Sequence, residues 1–137
     1  MSSMEHMAYE ARTGDIVVRV NPVYLEDQSE PEEGRYLWAY QVAVENHGGR
    51  TVQLLKRTWE IVDATGQVKR VHGDGVVGEQ PVLGPGEAFQ YTSGTPLGTP
   101  SGFMRGAYHM VDRASGEPFD VQIPPFSLDS PGTRTAH

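Results

Sequence analysis

Cysteine is absent from the 137-residue chain. Disulfides, thiolate zinc sites, iron–sulfur clusters and a cysteine nucleophile are thereby excluded together. Basic residues are few: 11 Lys and Arg stand against 18 Asp and Glu, a formal net charge of −7. That balance disfavours nonspecific attachment to DNA, RNA or an anionic membrane. Long apolar runs are missing too, the longest falling far short of the roughly 20 residues that span a bilayer as a helix. The opening Met1–Glu10 carries neither the basic start nor the apolar stretch of a secretory signal, so a cytoplasmic location is expected. Ordinary helices are hard to place, because Gly or Pro interrupts almost every window that could carry an i, i+3, i+4, i+7 stripe. What the chain has in plenty is turn formers: 16 glycines and 10 prolines, against only 37% hydrophobic residues.

Between the Gly and Pro clusters the sequence alternates with period two, as half-buried strands do. Strands are expected at 15–21, 35–46, 51–63, 67–72, 87–93, 102–112 and 117–123. In 35–46 one face carries Tyr36, Trp38, Tyr40, Val42 and Val44, and the other is small or polar. In 51–63 Leu55, Arg57, Trp59 and Ile61 share a face, while Val52 and Leu54 have the opposite parity, which predicts a bulge near Leu54-Leu55. His47-Gly48-Gly49-Arg50 reads as a hairpin loop. Charge on both parities of 67–72 suits an edge strand. Trp59 is expected in the core, and Tyr108 is expected to bury its ring with its hydroxyl on a backbone acceptor. The pattern predicts one all-β domain over 14–128, an immunoglobulin- or fibronectin type III-like β-sandwich of about seven to eight antiparallel strands. Residues 1–13 and 129–137 read as flexible termini.

The sharpest motif is Gly73-Asp74-Gly75-Val76-Val77-Gly78, a G-x-G-x-x-G pattern. Such a loop cradles a pyrophosphate when it opens a helix whose free amides and dipole hold the anion. Here Val76-Val77 favours extended structure, and Pro81 with Gly84-Pro85-Gly86 leaves no room for a helix. Asp74 and Glu79 would also repel a phosphate. A nest of backbone amides at Gly73, Gly75 and Gly78 remains the route to an anion, with tight turns and bulges as the alternative reading. His6, His47, His72, His109 and His137 show no metal-binding spacing, although His72 and Asp74 could share a strand face and be joined by His109 if their strands meet. No metal site and no cofactor are assigned. Ser93 lies outside any nucleophile elbow, and no catalytic constellation emerges. Apolar residues in loop-like sequence (Tyr24, Leu25, Val76, Val77, Val82, Leu83) would form a partner patch if exposed and core if covered.

Taken together, the ordered stretches resemble the ApaG family over nearly all of residues 15–128. They include Tyr24-Leu25, Trp38-Ala39-Tyr40, Glu45-Asn46, Val52-Gln53-Leu54-Leu55 with Arg57 and Trp59, and Gly73-x-Gly75-Val76-Val77-Gly78-x-Gln80-Pro81. Tyr91-Thr92-Ser93-Gly94, Gly102-x-Met104-x-Gly106-x-Tyr108 and Ile123-Pro124-x-Phe126 complete the series. The resemblance implies a fibronectin type III or immunoglobulin-like sandwich in a small bacterial cytoplasmic protein named for cobalt and magnesium efflux. Similar domains in eukaryotic F-box and polymerase-interacting proteins look like partner-binding modules. The family has no catalytic residues to carry over, and Gly73–Gly78 matches its candidate pyrophosphate loop. Thr58 departs from a position where many members carry an aromatic residue or His. A chain without a spanning segment cannot itself conduct ions, so any efflux role would be indirect. The expectation is a non-enzymatic binding or protein-interaction domain with a protein partner, indirectly associated with divalent-cation homeostasis. The alternative is a phosphate-, pyrophosphate- or nucleotide-binding protein using Gly73–Gly78. Neither nucleic acid binding nor membrane insertion is expected.

Overall fold

A computed structural model describes residues 8–131. Among these residues nine strands follow one another: β1 (Tyr9–Thr13), β2 (Ile16–Tyr24), β3 (Tyr36–Asn46), β4 (Val52–Asp63), β5 (Val68–Asp74), β6 (Val82–Leu83), β7 (Ala88–Leu97), β8 (Ser101–Asp112) and β9 (Pro118–Asp129). Two single 3-10 turns, Glu26–Gln28 and Pro31–Glu33, link β2 to β3. The strands pair antiparallel into one sheet of order β1-β2-β3-β7 and a second of order β5-β4-β8-β9, with β6 also on β4. The expected sandwich is therefore what forms, with β5 at an edge as its charge pattern predicted.

The inner faces follow the alternation. Trp59, 3% exposed, sits between the sheets with its ring centroid 5.3 Å from Tyr40, 5.9 Å from Phe126 and 6.4 Å from Tyr108. Val18, Val20, Val42, Val44, Leu54, Met104, Met110 and Ile123 fill the rest of the core. The β4 register shifts between Leu54 and Lys56, at the expected bulge. Tyr108 is fully buried as expected, but its hydroxyl bonds the hydroxyl of Tyr91 across the sandwich in place of a backbone acceptor.

Four expectations are corrected. The terminus assigned to 1–13 contains β1, whose polar, half-exposed alternation hides an edge strand held by Tyr9 against Phe126 (6.1 Å). Residues 1–7 lie outside the described residues. The strand expected at 117–123 continues through Pro124 and Pro125 to Asp129, because β9 is a sheet edge, where a missing N–H is tolerated. Beyond it Ser130 is buried and its amide donates to the Pro100 carbonyl (3.0 Å), so the tail does not begin at 129. Residues 132–137 are outside the described residues. Finally, 47–50 is no hairpin: β3 and β4 lie in different sheets, and the segment carries the chain between them. Asn46 braces that crossing, accepting from the Gly48 amide (2.9 Å) and donating to the carbonyls of Arg50 (2.7 Å) and Leu83 (3.0 Å).

Candidate functional site

The glycine motif begins inside a strand. Gly73 and Asp74 belong to β5, opposite Arg57 and Lys56 of β4. The chain then turns at Gly75 (φ +61°), whose amide donates to the Leu55 carbonyl (2.7 Å). Val76 and Glu79 exchange both backbone hydrogen bonds (2.8 and 2.9 Å) around Val77 and Gly78, at φ 42° and 81°. Positive φ at both central residues is the geometry of a type I′ turn. The amides of Gly75, Val76 and Glu79 are thus all committed to protein carbonyls. No helix follows. Gln80 donates its side-chain amide to the Leu55 carbonyl (2.9 Å), and the chain enters β6.

The motif's carbonyls serve a cation of the protein itself. Arg57 Nη1 donates to the carbonyls of Asp74 and Gly75, each at 2.8 Å. A Cβ at Gly73 would stand 3.1 Å from that nitrogen, so the first glycine clears room for the guanidinium. Arg57 is a residue whose importance sequence spacing alone does not convey. The available signal was its parity: it shares a face with Leu55, Trp59 and Ile61, where a cation is out of place.

The apolar loop residues divide. Val76 (0% exposed) and Leu83 (3%) belong to the core, whereas Val77 (54%) and Val82 (46%) face solvent. Tyr24 is half-buried, its ring edge-on to Trp38 at 5.1 Å.

On the outer face of the five-stranded sheet the imidazoles do come into line. Thr58 Oγ1 lies 2.8 Å from His72 Nδ1 and 2.7 Å from His109 Nε2, and His109 Nδ1 lies 2.8 Å from Asp120 Oδ1. The row crosses β5, β4, β8 and β9 in order. β5 and β8 are not neighbours, so His72 and His109 meet through Thr58, their ring centroids 5.9 Å apart. Asp74 takes no part in it. Among the described residues no group of three or more His, Asp or Glu is placed to hold a metal ion. Carboxylate, imidazole and hydroxyl stand here in the order of a hydrolytic triad. Thr58 nevertheless lies mid-strand in β4, which is hydrogen-bonded on both sides, to β5 and β8. Backbone amides spent in those ladders cannot form the oxyanion hole that acyl transfer requires. A second row, Arg70–Glu60–Arg105, lies beside it, and bonds first from Arg70 and then from Arg105 hold the Glu60 carboxyl below its usual range.

Residues 26–112 match the family model of the ApaG domain. The chain is 62% identical over 127 residues to Protein ApaG of Rhodospirillum centenum, covering 93% of this chain and 97% of that protein. It is 61% identical over 123 residues to Protein ApaG of Parvibaculum lavamentivorans, covering 90% and 94%. The crystal structure of an ApaA protein from Bordetella pertussis superposes with a TM-score of 0.82 at 45% identity, over 91% of this chain and 98% of that one.

Proposed function

The chain belongs to the ApaG domain family, and from that premise we propose that it is a non-catalytic binding module that engages a protein partner through the tip at Val77. One observation carries this reading. Val77 is a β-branched residue at φ 42°, yet more than half exposed. At that turn position the backbone favours Asn, Asp or Gly. Neither local conformation nor burial accounts for a valine there, which leaves a contact outside the chain to account for it. The tip is also preorganised: Val76 anchors it in the core and Arg57 ties its base, so little entropy is lost when a partner docks.

The non-catalytic part of the reading draws on the setting of Thr58 in the middle of β4, which is paired with β5 on one side and β8 on the other. Among the described residues no helix is long and apolar enough to cross a membrane. Any part in cobalt or magnesium handling is therefore proposed to run through the partner. A phosphate bound through the Gly75 amide would have to displace its bond to the Leu55 carbonyl.

Val77→Asn tests the reading, because Asn tolerates positive φ. The variant is expected to gain about 1 kcal/mol of stability by relieving the left-handed backbone. In affinity capture it should lose at least one protein that the wild type retains. A variant that is stabilised and yet keeps every partner sinks the proposal. Val76 is unsuitable as a probe, since its replacement would open the core.

A further inference from the structure

The sandwich is open along one side, where β5 at the edge of one sheet faces β7 at the edge of the other. Between them lies a cleft of about 230 Å³ whose lining includes Arg57, Trp59, Lys69, Tyr40 and Ser93. Arg57 and Lys69 reach it because they share the inward parity of β4 and β5 with Trp59 and Val71. No acidic residue lines it, in a chain of net charge −7. Arg19, Arg35, Arg50, Arg70 and Arg105 each have a carboxylate within 4.0 Å, whereas Arg12, Lys56, Arg57, Lys69 and Arg113 have none among the described residues; of these five, Arg57 and Lys69 line the cleft. Arg57 is half-buried, and its two bonds to the loop carbonyls both use Nη1. A partly desolvated guanidinium without a counter-charge is unfavourable, and an anion entering the cleft would relieve it.

The rest of the lining suits an oxyanion. Burial pushes the Tyr40 phenol above its usual range, while a hydrogen bond with Ser93 and the charge of Arg57 pull it back. The phenol therefore stays protonated and able to donate near neutral pH. Trp59 and Met104 supply an apolar floor. Clefts that enclose a whole drug-sized ligand measure about 300–1,000 Å³, so this one suits a head group and a short substituent better than an entire nucleotide.

We propose that this cleft binds the phosphate monoester group of a small molecule, clamped by Arg57 and Lys69 and oriented by the hydroxyls of Tyr40 and Ser93. The glycine motif then acts at one remove: Gly73 makes room for the guanidinium, and the Asp74 and Gly75 carbonyls aim it. The cleft does not include Val77, so this proposal and the partner-binding tip stand or fall separately.

The test is a titration of the ¹⁵N-labelled full chain with inorganic phosphate and with glycerol 2-phosphate, at ionic strength fixed by chloride. Saturable amide shifts are expected at Lys69, Val71, Ser93 and Gly94. Lys69 is exposed, so Lys69→Gln should leave the fold intact and weaken binding about fivefold. Arg57→Lys, which keeps the charge and loses the fork, should weaken it about tenfold. Shifts confined to Gly75–Glu79 would place the anion on the loop and overturn the cleft. No saturation at tens of millimolar, or equal affinity in the wild type and Lys69→Gln, would overturn it as well.

Discussion

A methyl group added at Gly75 would sit 2.3 Å from the Glu79 carbonyl oxygen, on a backbone at φ +61°. At Gly78 φ is +81°, but nothing lies within 4 Å. The first substitution meets both a backbone clash and a left-handed conformation, the second only the conformation. Gly75→Ala should therefore cost about 3 kcal/mol and Gly78→Ala about 1 kcal/mol in urea denaturation. Equal small losses at the two positions would mean that the loop is looser than its hydrogen bonds indicate. The three glycines were legible in the sequence as a motif, but their separate uses were not. A spacing records which residues can turn, and it holds no record of which amides have already found a carbonyl. Those carbonyls belong to Leu55, about 20 residues upstream, and to Glu79, whose pairing with Val76 exists only once the turn has closed. The same limit separated Val76 from Val77: adjacent residues of one type, one inside and one outside, because positive φ at Val77 reverses the chain.

At the scale of the strand, the period-two pattern carried most of the fold. It located the large strands, the bulge at Leu54 and the inward face around Trp59, since burial of one face imposes that alternation. It missed β1, whose residues Tyr-Glu-Ala-Arg-Thr bury little, and it could not assign strands to sheets. Pairing between distant segments leaves no local mark, which is why 47–50 read as a hairpin and why the His72–Thr58–His109–Asp120 row was invisible before β4 was seen to lie between β5 and β8. The Tyr91–Tyr108 contact is another such pairing, joining β7 of one sheet to β8 of the other. Burial pushes both phenols up, Tyr108 well above its usual value, so each hydroxyl stays neutral and depends on the other. Tyr108→Phe would strand the buried Tyr91 hydroxyl and should cost about 2 kcal/mol. Removing both hydroxyls should cost clearly less than the two single losses added together, because no polar group is then left unpaired. Additive losses in that double-mutant cycle would show the two hydroxyls to be independent.

Over the whole molecule, the excess of acid is managed by placing several carboxylates against donors that fasten one element to another. Burial pushes the Glu45 carboxyl up, but hydrogen bonds from His47 and Arg19 outweigh it and leave the group below its usual range. Arg19 lies on β2 and also reaches Glu10 of β1, so its guanidinium, with Glu45 of β3, ties three strands together. Asp112, at the end of β8, is lowered by its bond from Arg50 in the inter-sheet crossing and by the amides of Ser115 and Ala114. Asp63 is lowered by Thr65 and by the amides of the turn that joins β4 to β5. A carboxyl depressed in the folded state binds protons more weakly than in the unfolded chain. Its contribution is therefore complete above the unfolded value, about 4, and disappears as pH falls through the lower folded value. Stability should accordingly be level from neutral pH down to about 5 and fall steeply below about 4 as these ties are protonated. Glu45→Gln and Asp112→Asn separate this effect from general charge repulsion. Each should lower the urea midpoint at pH 7, show a shallower fall on acidification than the wild type, and converge with it once pH has dropped below the depressed folded value, where the wild-type carboxyl is also neutral. Parallel pH profiles for wild type and variants would assign the acid sensitivity to net charge, and salt would then remove it by screening.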